Sequence, residues 1–272
     1  MLYGGPANRR VTVRDIFEAK QRGERWPMIT TYDAHTARIF DEAGFPALLV
    51  GDSAAMVVYG YDTTVPVTTE ELVPLVRAVV RGSLRALVIA DLPFGSYQAS
   101  PAQALETASA FMKDGGAHAV KLEGGEAVLP QVELLVNSGI PVFGHLGLTP
   151  QSVNVFGGYR VQGRGESGER LMRDAKALEA IGVSGIVLEV VPADLAEKVT
   201  KMLSVPTIGI GAGAATDAQV IVWQDLVGLT PDPAPKFVRR YADVGNVIDN
   251  AARAWARDVV DGHFPTANES YK

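Results

Sequence analysis

Residues 118–123 read HAVKLE, and the reading of the fold starts there. A short run with period-two alternation is a strand, and the alternation sets Lys121 and Glu123 on one face with Val120 and Leu122 on the other. The run ends at Gly124-Gly125, a turn signal. Comparable runs recur along the chain: PMIT at 27–30, PALLV at 46–50, ALVIA at 86–90, PVFGHL at 141–146, GIVLEV at 185–190, PTIGI at 206–210 and, weakest, QDLVGL at 224–229. With HAVKLE they make eight.

Between these runs lie HTARIFDEAG, TEELVPLVRAVVRG, PAQALETASAFMKDGG, RLMRDAKALEAIG and ADLAEKVTKML, with apolar residues at helical spacing and frequent glycine stops. Alternating strands and helices, with strands that are nearly continuous Val/Ile/Leu, indicate a parallel sheet covered by helices. Eight strands predict an α/β fold of the (βα)8 TIM-barrel type. An open doubly wound sheet is the runner-up. The segment after residue 229 has enough helical pattern for one or two extra C-terminal helices, and Trp255 among its alanines needs a surface to bury against.

Composition narrows the function. The chain has 272 residues, 25 basic and 31 acidic side chains, a net charge of −6 and no cysteine. Disulfides, zinc ribbons, iron–sulfur clusters and thiol nucleophiles are excluded. The negative charge gives nucleic acid or anionic lipid no electrostatic reason to bind, so a small molecule is the expected partner. No run approaches a spanning helix, and charges at Arg9, Arg10, Arg14 and Asp15 argue against a signal peptide. A cytoplasmic protein is expected, with one domain over residues 1–272 and a loose arm over 1–10.

The acids fall at one kind of place. Asp52, Asp91, Glu123 and Glu189 each end an apolar strand. A carboxylate buried there costs several kcal/mol, on the order of 3–5, unless it is paired or bound to a cation. Any one of them alone reads more simply as a helix cap. Four at corresponding positions of a closed barrel converge on one spot. Oxygen donors without cysteine, and with only four histidines, select a hard cation such as Mg²⁺. Lys121 beside Glu123 reads equally as a buried ion pair or, near a metal, as the holder of a substrate carboxylate. His145 lies in the same ring, and Ser53 either binds a ligand oxygen or starts a turn. The Gly209-Ile210-Gly211-Ala212-Gly213 run reads as a tight turn rather than a dinucleotide loop. Residues 51–68 and 146–166 are long for βα turns and are expected to be lids or binding loops.

These residues sit in longer stretches that resemble the ketopantoate hydroxymethyltransferase family of the phosphoenolpyruvate/pyruvate barrel superfamily. The stretches are TTYDAHTARIFDEAG at 30–44, VGDS at 50–53, GYDTTVPVT at 60–68, ADLPFGSY at 90–97, VKLEGGE at 120–126, GHLGLTPQSV at 144–153, FGGYRVQGRG at 156–165, LEVVP at 188–192 and IGIGAG at 208–213. Ala54-Ala55 depart from the Leu-Gly pair expected after GDS. The resemblance implies Mg²⁺ held by Asp52, Asp91 and Glu123, and a keto acid bound by Asp52, Ser53, Asp91 and Lys121. It also implies His145 as a substrate contact and Glu189 as the catalytic proton acceptor.

The activity implied is hydroxymethyl transfer from 5,10-methylenetetrahydrofolate to 3-methyl-2-oxobutanoate through a Mg²⁺-stabilised enolate, giving 2-dehydropantoate and tetrahydrofolate in pantothenate and coenzyme A biosynthesis. The assembly implied is a homodecamer built from dimers. The rival enzyme reading is another Mg²⁺-dependent keto-acid lyase or mutase of the superfamily. Members that use a catalytic cysteine are excluded. A non-catalytic barrel that binds a keto acid has no need of this set of charged residues.

Overall fold

The computed structural model describes Pro6 and residues 8–272. Eight parallel strands close into a barrel in sequence order: β1 Trp26–Thr30, β2 Ala47–Val50, β3 Leu87–Asp91, β4 Ala119–Glu123, β5 Val142–Gly147, β6 Gly185–Glu189, β7 Thr207–Ile210 and β8 Ala218–Ile221. Closure comes from β8 pairing with β1, with Met28 opposite Val220. The TIM barrel expected from the alternation is therefore present, and the open sheet is excluded.

Seven of the strands lie where the apolar runs placed them. The eighth does not. QDLVGL at 224–229 is not a strand; Trp223–Leu226 is a short helix, and β8 is Ala218–Ile221. Gln219 is exposed between buried Ala218 and Val220, so this strand has no continuous apolar run to reveal it. No helix separates β7 from β8.

Helices form where caps and apolar spacing agree. In Thr69–Gly82, Thr68 and Glu71 form a capping box, and Leu72, Val73, Val76 and Val79 are buried along one stripe. The segment expected to be helical over 101–116 is an α-helix at Pro101–Ala110 and widens to a π-turn at Phe111–Gly115. Among the described residues, no helix is long and apolar enough to cross a membrane.

Two compact units are present, Met1–Val222 and Trp223–Lys272. The first contains the whole barrel. Its amino-terminal interior is an apolar layer including Trp26, Met28, Leu49, Ile89 and Phe143, joined by Val11, Ile16 and Ala19 from ahead of β1. The loose arm expected over 1–10 lies mostly outside the described residues. Its last two positions are held: Arg9 pairs with Asp15 at 2.7 Å, and Arg10 donates to the Ser83 and Ala86 carbonyls, both at 2.6 Å. The second unit carries one long helix, Val244–Val260, which buries none of its residues.

Candidate active site

Parallel pairing brings the charged strand ends together. Register sets Asp91 opposite Lys121, Glu123 opposite His145, and Gly147 opposite Glu189. The carboxyl-terminal face of the barrel thus gathers side chains from β3, β4, β5 and β6, with Asp52 and Ser53 arriving just after β2. Asp52, Asp91, Lys121, Glu123 and His145 are all buried. Glu189 keeps some water access, with 17 % of its side chain exposed.

Lys121 Nζ lies 2.6 Å from Asp91 Oδ1 and 3.2 Å from His145 Nδ1. His145 bridges two acids: Nδ1 is 3.3 Å from a Glu123 oxygen and Nε2 is 3.3 Å from a Glu189 oxygen. The Asp52 main-chain N–H donates to Asp91 Oδ2 at 3.1 Å. Gly51 permits that approach, because a Cβ there would stand 2.7 Å from Ser53 Oγ and 3.4 Å from Asp91 Oδ2. Ser53 Oγ is 2.8 Å from the buried Tyr32 hydroxyl. All seven residues expected at the site are therefore placed at one end of one barrel.

Crowding like charges in a buried space moves their proton affinities. Burial first, and then the charges of Asp91 and Glu123, push the Asp52 carboxyl up to about 8 against the pull of Lys121. Burial also raises Asp91, with Lys121 opposing. Burial and the Lys121 charge press His145 down, but its bonds to Glu123 and Glu189 prevail and hold it up at about 9. For Lys121, the surrounding acids more than offset burial, so it stays a fixed positive charge.

The description of the family model that matches residues 10–267 is ketopantoate hydroxymethyltransferase. A 3-methyl-2-oxobutanoate hydroxymethyltransferase of Thermobifida fusca is 64% identical over 271 residues, covering 99% of this chain and 96% of the relative. The chain belongs to the ketopantoate hydroxymethyltransferase family. A relative of the same name from Streptomyces avermitilis is 60% identical over 99% of this chain and 94% of its own. Among solved structures, a phosphonopyruvate hydrolase in complex with oxalate and Mg²⁺ superposes with a TM-score of 0.61 at 13% identity, covering 95% of this chain and 93% of that one. A 2,3-dimethylmalate lyase superposes at 0.60 with 16% identity, covering 96% and 92%. At such identities these two support the fold alone.

For this member of the ketopantoate hydroxymethyltransferase family, three site residues escaped the reading of strand ends. Gln151 and Tyr97 are buried and hydrogen-bonded to each other at 2.8 Å, and Tyr32 contacts Ser53. All three lie inside family-like stretches, which was the available signal; none is ionised or on a strand. The two long loops contain short helices, Ala54–Val57 and Val153–Phe156. They meet where the Tyr159 hydroxyl donates to Met56 Sδ at 3.7 Å. The glycines after β7 turn tightly: Gly211 and Gly213 have φ of 63° and 78°, and a Cβ on Gly213 would stand 2.5 Å from Ala193 Cβ.

Proposed function

We propose that this chain transfers a hydroxymethyl group from 5,10-methylenetetrahydrofolate to 3-methyl-2-oxobutanoate, yielding 2-dehydropantoate and tetrahydrofolate for pantothenate and coenzyme A biosynthesis. The observation that carries the reading is the 64% identity to a relative of that name along 99% of the chain. The buried ring of acids around one lysine supports it.

Mg²⁺ suits the donors at this site. Asp91 Oδ1 and Glu123 Oε1 are buried hard oxygen donors whose neighbours are Lys121 Nζ at 2.6 Å and His145 Nδ1 at 3.3 Å. Among the described residues, no three Asp, Glu, His or Cys groups are arranged to cage an ion by themselves. Mg²⁺ keeps several waters and takes one or two carboxylates plus substrate oxygens. Asp52 and Asp91 would ligate it, with Glu123 as the third carboxylate of the metal site. When bound, it supplies Lewis-acid polarisation of the substrate's keto and carboxylate oxygens.

The chain's own side chains do the rest. Lys121 offsets the keto acid's carboxylate charge, and Ser53 contributes a hydroxyl already oriented by Tyr32. Glu189 accepts the C3 proton, and its partial exposure gives that proton a route to water. His145 touches Glu189 through Nε2 and so sets the direction of the base. Water releases the folate's one-carbon unit at the level of formaldehyde, breaking both C–N bonds and returning its two protons to N5 and N10; the C3 carbanion adds to that carbonyl carbon, and its oxygen takes up the proton to become the hydroxyl of the product. The loops that meet at Tyr159 and Met56 enclose the reacting atoms. We read the protein as a cytoplasmic homodecamer built from dimers, which a mass measurement in solution checks.

Exchange of the C3 proton in deuterated water, without folate, tests the first half of the reaction. Product analysis with both substrates tests the whole. Turnover of isocitrate-like substrates instead would move the protein to the lyase reading.

A further inference from the structure

Gln151 stands one residue past Pro150 in the turn after β5 and is 5% exposed. Its carboxamide nitrogen donates to Asp52 Oδ2 at 2.9 Å and to the Leu92 carbonyl at 3.0 Å. Its carboxamide oxygen faces the Tyr97 hydroxyl at 2.8 Å and accepts from Gln98 Nε2 at 3.2 Å. Its main-chain N–H donates to Glu123 Oε2 at 3.0 Å. The nitrogen end thus meets two acceptors and the oxygen end two donors, so only one orientation of the amide satisfies all four partners.

Gln151 reaches two of the three carboxylates. Asp52 is tethered through Oδ2 by the Gln151 side chain, and Glu123 through Oε2 by the Gln151 main chain. Asp91 is tethered through Oδ2 by the Asp52 N–H. In each case one oxygen is held by an N–H donor. Of the second oxygens, Asp91 Oδ1 meets Lys121 Nζ at 2.6 Å and Glu123 Oε1 meets His145 Nδ1 at 3.3 Å, both groups of the same charged ring. A residue needed only for packing could be apolar here, since a buried amide costs free energy unless every partner is present. We infer that Gln151 is a positioning residue of the site, holding Asp52 and Glu123 so that their second oxygens point at the cation and keto acid. This rests on the functional reading above.

Gln151→Met tests the inference, because it keeps the volume and the main-chain bond to Glu123 while removing the carboxamide. The readout is Mn²⁺ affinity in the presence of 3-methyl-2-oxobutanoate, followed by electron paramagnetic resonance of free Mn²⁺, alongside kcat and both KM values. Loss of a partner that orients a metal ligand typically weakens metal binding by about 10–100-fold. We expect that loss in Mn²⁺ affinity, with a matching fall in kcat and an unchanged KM for the folate. Tyr97→Phe, which releases the amide oxygen and also the Glu123 main-chain N–H that donates to the Tyr97 hydroxyl at 3.1 Å, should weaken Mn²⁺ binding in the same direction by less. A folded Gln151→Met protein with Mn²⁺ affinity within about twofold of wild type, well below that range, overturns the inference. If Gln151→Met does not fold, unchanged Mn²⁺ affinity in Tyr97→Phe overturns it instead. Wild-type protein that neither binds Mn²⁺ with the keto acid nor turns over the two substrates overturns the functional reading itself.

Discussion

The inner faces of β3 to β6 change character halfway along. Their amino-terminal halves contribute Leu87, Ile89, Ala119, Phe143 and Val187 to one apolar layer. Two residues further on, the same faces carry Asp91, Lys121, His145 and Glu189, with Glu123 two beyond Lys121. The first layer gains stability from burial, at roughly 1.5–3 kcal/mol for each large side chain. The second loses stability, because its charges are kept from water and only partly paired. A barrel thus separates folding from chemistry along the strand axis, and the charged layer is tolerable because the apolar one lies beneath it.

Substitutions in the two layers should therefore fail in different ways. The largest effect is expected from Lys121→Met, which leaves Asp91 Oδ1 without its cation at 2.6 Å. Breaking a buried pair costs about 3–5 kcal/mol, and losing a fixed charge at the reacting centre costs about 1,000-fold in kcat/KM. Both should be seen, by denaturant titration and by assay. Glu189→Gln should separate the two properties. Its C3 proton exchange should fall by about 100-fold or more, while its melting temperature stays near wild type because Glu189 is partly exposed. Exchange at the wild-type rate would remove Glu189 from the base role. Phe143→Ala is the mirror image: Phe143 is 1% exposed in the apolar layer, so truncation should cost about 3–5 kcal/mol of stability with kcat of the folded fraction preserved.

A pH titration probes the charged layer as a whole. His145 and Asp52 both bind a proton more tightly folded than unfolded, so their contributions favour the folded state at low pH. That of His145 is complete below its ordinary 6.5 and is lost as pH rises through about 9. That of Asp52 is complete below its ordinary 3.8 and is lost through about 8. Without divalent cation, stability should fall between pH 6.5 and 9, by on the order of 1–3 kcal/mol. Added Mg²⁺ should flatten the fall, because it binds the ionised carboxylates. A metal-free protein that gains stability across this window would mean the acids are not held as described.

The same contrast explains what could be read from the sequence. An acid at the end of an apolar run is an anomaly in one dimension, so Asp52, Asp91, Glu123 and Glu189 stood out. Gln151 did not, because a glutamine in a Pro-containing turn is unremarkable until the fold brings it to Asp52, 99 positions away. Seven strands were legible as short apolar or alternating runs. β8 was not, because exposed Gln219 interrupts a strand of only four residues, and the apolar look of Asp225–Leu229 drew the reading beyond it.

The smallest predicted effect concerns the far edge of the charged layer. Val190, immediately after Glu189, has φ of 49°, the one positive φ outside glycine among the described residues. A β-branched side chain there is strained by about 1–3 kcal/mol. Its backbone is held on both sides: the N–H donates to the Ile210 carbonyl at 2.8 Å, and the carbonyl accepts from Gln162 at 3.0 Å. The chain therefore turns sharply while still tied to β7, and that turn sets where Glu189 points. Val190→Gly removes the strain but adds about 0.5–1 kcal/mol of chain entropy to be lost on folding. The net should be a small gain, about 0.5–1 kcal/mol, measured by denaturant titration. Proton exchange at C3 should slow by a few-fold, about 2–5, as Glu189 loses its fixed direction. A clear loss of stability with exchange unchanged would mean that Val190 serves packing, and that the cost of the charged layer ends at the charges themselves.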